Sequence, residues 1–160
     1  MKVSEVMTRD VRTCTPDTNL ADAAIRMWDN DCGTLPVIDE NNLVTGMVTD
    51  RDICIAAATR HQDIANIQVG ELAGHELHSC SPDADLRDAL KVFEKARVRR
   101  LPVVDDYGKL EGILSLRDMI LIASEGTNAT GTGISHSEVM NALRAISMPH
   151  EKAMSAGARI

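Results

Sequence analysis

Residues 46–52 read Gly-Met-Val-Thr-Asp-Arg-Asp, and residues 112–118 read Gly-Ile-Leu-Ser-Leu-Arg-Asp. The second heptad follows the first by 66 positions. The same offset lays Val3 to Ala57 over Val69 to Ala123 without a gap and gives 16 identities in 55 positions. Cys14-Thr15-Pro16-Asp17 answers Cys80-Ser81-Pro82-Asp83, and Leu35-Pro36-Val37 answers Leu101-Pro102-Val103. A duplicated unit of this size implies two lobes, each too small to bury a sufficient core alone, packed about a pseudo-two-fold axis. Two lobes imply two similar clefts.

Outward from the heptads, each copy reads as strand, helix, strand, strand, helix. Val11 to Thr15 is a short extended run stopped by Pro16. Asn19 then caps a helix whose apolar positions Leu20, Ala23, Ala24, Met27 and Trp28 have helical spacing. In the second copy Asp85 is the cap, and Leu86, Ala89, Leu90 and Phe93 form the stripe. Asp22 and Asp88 suit the positive helix starts. Residues 35–39 and 43–49 predict one hairpin, and 101–105 with the strand after Gly108 predict the other. The closing helices are expected over 50–59 and 116–124, apolar over much of their surface, buried, and available for contact between lobes or protomers.

After Ser124 the chain turns to Gly, Thr and Asn, and reads as a flexible linker through Gly133. Ser135 with Glu138 then makes a capping-box pattern for an amphipathic helix carrying Val139, Met140, Leu143 and Ile146 and ending before Pro149. That helix is expected to dock on a partner or on the module itself, with a frayed end beyond it. The expected division is 1–61 for the first repeat, 62–124 for the second, and 125–160 for linker and tail.

Composition narrows the function classes. The 160 residues are 44% hydrophobic and 26% charged, as in an ordinary globular protein. A net charge of −7 argues against sequence-independent nucleic-acid binding, which needs a basic face. No apolar run approaches the length that crosses a bilayer, and the first ten residues lack the features of a secretory signal, so a cytoplasmic protein without membrane attachment is expected. The four cysteines read as reduced thiols. Trp28, Phe93 and Tyr107 are the only aromatic residues, so a bound purine would be held by aliphatic side chains and backbone.

The sharpest chemical signal is glycine, then Thr or Ser three residues on, then Asp three further: Gly46, Thr49, Asp52 and Gly112, Ser115, Asp118. It places a hydroxyl and a carboxylate on the first turn of a helix, beside free N–H groups suited to phosphate, and the carboxylate can accept from ribose hydroxyls. The same residues also make a capping box, which needs no ligand. Both readings stand on pattern alone.

Together the repeat, the Leu-Pro-Val strand entry followed by Asp, and the Gly/Thr-Ser/Asp endings resemble a tandem pair of cystathionine-β-synthase (CBS) domains, a Bateman module, across residues 1 to about 124. The resemblance implies an α+β fold of two β-α-β-β-α repeats with pseudo-two-fold symmetry, here with a C-terminal helical tail. It also implies adenosine-containing ligands in clefts between the repeats, and disc-shaped homodimers. Carried onto this sequence, Asp52 and Asp118 would bind ribose hydroxyls with Thr49 and Ser115 beside them. Cys14, Thr15, Cys80 and Ser81 would meet adenine through backbone groups. Arg99 and Arg100, before Pro102, would meet phosphate, whereas the first copy has Gly33 and Thr34 there. That departure predicts unequal clefts, one tighter and one weaker or empty. Arg51 and Arg117 are further candidates, and a solvated basic edge is the alternative for Arg97, Arg99 and Arg100.

His75, His78 and Cys80 have a ligand-like spacing, although two histidines in a loop are ordinarily surface residues. No nucleophile with a base in a recognisable frame and no Walker loop is present, so catalysis and catalytic cofactors are not expected. The resulting expectation is a stand-alone, non-catalytic regulatory module. It would bind AMP, ADP, ATP, NAD(H) or S-adenosylmethionine and signal to an unknown effector protein by a conformational shift. The alternatives are an interaction module with vestigial clefts and a thiol-based redox sensor.

Overall fold

The computed structural model describes residues 1–72, 76–123 and 133–148. The first repeat contributes α1 (Leu20–Asp29), β1 (Thr34–Ile38), β2 (Val44–Thr49) and α2 (Asp50–Thr59). The second contributes α3 (Leu86–Ala96), β3 (Arg100–Val104), β4 (Leu110–Ser115) and α4 (Leu116–Ile122), and α5 (His136–Ser147) follows. Each repeat holds one antiparallel hairpin, β1 with β2 and β3 with β4. The registers correspond residue for residue: Thr34 faces Thr49 as Arg100 faces Ser115.

Local chemistry accounts for these elements. Asn19 and Asp85 cap α1 and α3 by accepting from the N–H groups of Asp22 and Arg87. In the hairpin turns, Asp39 Oδ1 accepts from Asn41 and Leu43, and Asp105 Oδ1 accepts from Tyr107 and Lys109. Asn42 and Gly108 supply the left-handed residue, with φ of 64° and 82°. The two tips then join: Val44 N donates to Gly108 O and Leu110 N to Asn42 O, both at 3.1 Å.

The expected first strand of each repeat is reduced to one bridging residue. Cys14 N donates to Pro36 O while Cys14 O accepts from Ile38 N, and Cys80 does the same with Pro102 and Val104. Proline offers a carbonyl but no N–H to that edge, so the ladder has no donor with which to continue.

The two hydrophobic cores exchange their leading segments. Val3 and Met7 lie in the core built by Leu86, Phe93, Leu101 and Leu114, whereas Ile67 and Val69 lie in the core of Leu20, Met27, Leu35 and Val48. Backbone bonds repeat the exchange: Val3 to Ala84 and Ser4 to Pro82 on one side, Val69 to Thr18 and Gly70 to Pro16 on the other. Each repeat therefore completes its partner's core.

The closing helices are less buried than their apolar content suggests. Only Ile53 and Ala56 of α2, and Leu116 and Met119 of α4, are buried. Trp28 also leaves the expected stripe and is 86% exposed. The corresponding face of α3 is covered by α5, which buries Val139 and Ala142 against it. The expected linker falls mainly on residues 124–132, outside the described residues, as does the chain beyond 148.

Candidate functional site: two clefts that share a basic pair

Thr49 and Ser115 cap α2 and α4, and the capping boxes are complete. Asp52 Oδ2 accepts from Thr49 N at 2.9 Å and from Thr49 Oγ1 at 2.7 Å. Asp118 Oδ2 accepts from Ser115 N at 2.8 Å and from Ser115 Oγ at 2.7 Å. Among the described residues Oδ1 of each acid has no partner, so capping employs one oxygen and leaves the other for a ligand hydroxyl. The two readings of this motif are compatible in one geometry.

Each acid stands in its own cleft. The Asp118 cleft, about 900 Å³, is walled by Thr8, Asp10–Arg12, Asp31, Cys32 and Ser115–Asp118. The Asp52 cleft, about 570 Å³, is walled by Thr49–Asp52, Glu76–His78, Arg97 and Val98. These linings match at the 66-residue offset, so the clefts are pseudo-symmetric copies. Asp31, just past the α1 cap Asn30, and Arg97, the α3 cap, take left-handed conformations with φ of 48° and 54°.

Arg99, Arg100 and Thr34 line both clefts. Arg51 stands in the Asp52 cleft and Arg117 in the Asp118 cleft. Among the described residues none of these four arginines makes a side-chain hydrogen bond or ion pair. Away from the clefts Arg60 and Arg87 are paired with Glu71 and Glu138, and in the wall of the Asp118 cleft Arg12 is paired with Asp10. In a chain with a surplus of carboxylates, unpaired guanidinium groups gathered at two clefts are an anion-receptive surface. Two wall positions differ in charge: Asp50, whose carboxylate lies 2.8 Å from where a Gly33 Cβ would stand, occupies the position that Leu116 takes in the other repeat, and Arg97 occupies the position of Asp31.

Cys14, Thr15, Cys80 and Ser81 are not among the residues lining either cleft. Cys14 and Cys80 are buried, and burial pushes both thiols up to about 11. The corresponding wall comes instead from Asp10–Arg12 and Glu76–His78, a few residues earlier. Their signal in the sequence was only their common offset. Ile146, near the end of α5, also borders both clefts, and Leu143 borders the Asp118 cleft. His75 lies outside the described residues, and among those described no cluster of three potential metal ligands occurs.

A family model described as CBS domain matches residues 3–58 and again 69–125. The chain belongs to the CBS domain family. It is a tandem pair, with the paired repeats and hairpin-plus-helix units seen in solved CBS structures. The CBS domain-containing protein YhcV of Bacillus subtilis (strain 168) is 33% identical over 139 residues, covering 86% of this chain and 97% of that protein. The crystal structure of CBSX2 in complex with AMP is 30% identical, with a TM-score of 0.66 over 75% of this chain and 93% of that one. The crystal structure of Hypoxic Response Protein I with two coordinated zinc ions is 29% identical, with a TM-score of 0.71 over 78% of this chain and all of that one. Among the described residues no helix of this CBS pair is long and apolar enough to cross a membrane.

Proposed function

We propose that this CBS pair is a non-catalytic regulatory module that binds an adenosine-containing anion in its clefts and passes the bound state to a partner protein. The observation carrying this reading is the pairing, in each cleft, of an acid with one unengaged carboxylate oxygen and arginines without internal partners. The acid suits ribose hydroxyls, and the guanidinium groups suit phosphate. AMP on the similar CBSX2 supports the ligand class. A ligand touching both repeats would favour one arrangement of the lobes, and α5, which reaches both clefts through Ile146, is placed to report it.

The same reading includes a homodimer. Ile25, Trp28 and Ile55 expose apolar surface on α1 and α2, and Ile120 and Leu121 do so on α4. Such faces suit helix-to-helix association of two copies.

Thermal melting with AMP, ADP, ATP, NAD(H) and S-adenosylmethionine tests the ligand class. A ligand at 100 times its dissociation constant adds about 2.7 kcal/mol, and the midpoint should rise by about 5 to 11 °C for a chain of this size. No shift with any of them would leave the clefts vestigial and the protein an interaction module.

A further inference from the structure

Resting on the reading of the clefts as adenosyl-anion sites, we propose that the two clefts compete for a single pair of guanidinium groups, so that an anionic ligand in one weakens binding in the other. Arg99 and Arg100 border both clefts. Their counterparts Gly33 and Thr34 bring no charge, and the Thr34 hydroxyl is engaged with Val48 O at 3.0 Å. Where two symmetric repeats could each have furnished a basic pair, this chain has one pair beside the pseudo-two-fold axis.

A guanidinium that grips phosphate with two parallel hydrogen bonds is fixed in orientation and is not available to a second phosphate. The second anion also meets the charge of the first. Coupling between sites commonly changes affinity 5- to 150-fold and acts equally in both directions. The clefts carry equal numbers of carboxylates, Asp10, Asp31 and Asp118 against Asp50, Asp52 and Glu76, so neither is the weaker on that account. Unequal affinity here arises from sharing, and the weaker cleft is not deficient in itself.

Calorimetric titration of the full chain with AMP separates the two cases. The second binding event should be at least about tenfold weaker than the first, or undetected. In Asp118→Ala and in Asp52→Ala alike the surviving cleft is released from competition, and each should bind AMP about tenfold tighter than that second event. Uncharged adenosine, which does not need the arginines, should show a smaller difference between events than AMP. Because both acids also cap helices, Arg100→Ala serves as a further variant: both arginines are exposed, and this substitution should weaken the first AMP event and narrow the gap to the second. Equal AMP sites in the unaltered chain, a surviving cleft as weak as the second event in either aspartate variant, or an Arg100→Ala protein that keeps the full gap between the events would each overturn the proposal. If neither AMP nor adenosine binds, the adenosyl reading itself fails and the coupling falls with it.

Discussion

Thr8 and Ile113 exchange two backbone hydrogen bonds, N to O in each direction at 2.9 Å, and so tie the start of the chain to the inner strand of the second repeat. Both residues line the Asp118 cleft. The contact explains the glycine beside Ile113. A Cβ on Gly112 would lie 2.8 Å from Thr8 O and 2.7 Å from Met7 Sδ. Gly112→Ala should therefore lower stability by about 1–3 kcal/mol, since the backbone oxygen can move only by breaking the bridge. Urea unfolding checks this, and an unchanged midpoint would mean that the Thr8 bridge yields freely.

The docking of α5 is predicted to weaken in acid. Ser135, through its N–H and its hydroxyl, and then Arg87 hold the Glu138 carboxyl below its usual value of 4.5. A depressed folded value stabilises above pH 4.5, and that contribution disappears as pH falls through the folded value. Amide exchange of residues 139–146 should accelerate in acid before that of β3 and β4. Glu138→Gln should reproduce the acceleration at neutral pH. Because the Arg87–Glu138 pair is about one-third exposed, Arg87→Ala should cost no more than about 1 kcal/mol through lost charge alone.

Cysteine chemistry should divide by burial. Cys54 is exposed and should react first with a thiol reagent, whereas Cys14 and Cys80 should resist until the protein unfolds. Their raised values have a second consequence. The folded state holds both thiols protonated while the unfolded chain ionises near 9.0, so stability present below pH 9.0 should decline between 9.0 and about 11. Serine at both positions should flatten that decline in denaturant midpoints measured across the range. An oxidant response centred on Cys14 or Cys80 in the folded protein would contradict this assignment.

Trp28 offers a direct test of self-association. It is 86% exposed on the chain alone, so if α1 and α2 meet a second copy its fluorescence should become shielded from acrylamide as concentration rises. Trp28→Glu should shift sedimentation toward the monomer with little loss of stability, because the side chain makes little use of the core. Sedimentation unchanged by the substitution would move the interface elsewhere.

Much of the local structure was legible in the sequence because it is decided by neighbours in the chain. The Thr49–Asp52 and Ser135–Glu138 boxes mark their helix starts, and α2 spans the expected Asp50–Thr59. The hairpins follow from Asp39 and Asp105 and the permissive residues after them. Long-range relationships were not legible. Val3 and Val69 announce that they are buried, but nothing in an apolar residue says in which core. Arg99 and Arg100 announced charge, whereas their service to both clefts depends on where the repeat axis falls. Trp28 fitted a helical period, yet a period does not say which of its positions face the core, and Trp28 is exposed.

The exchange of leading segments also constrains how the chain can be made. A ribosome delivers Val3 and Met7 before the hairpin of either repeat, but their resting places beside Phe93 and Leu114 do not exist until the second repeat has emerged. The first repeat, for its part, waits for Ile67 and Val69 before its core closes. The segment carrying Val3 and Met7 is therefore made well before it can be sheltered, and during synthesis it stays open to chaperones and proteases until the second repeat emerges.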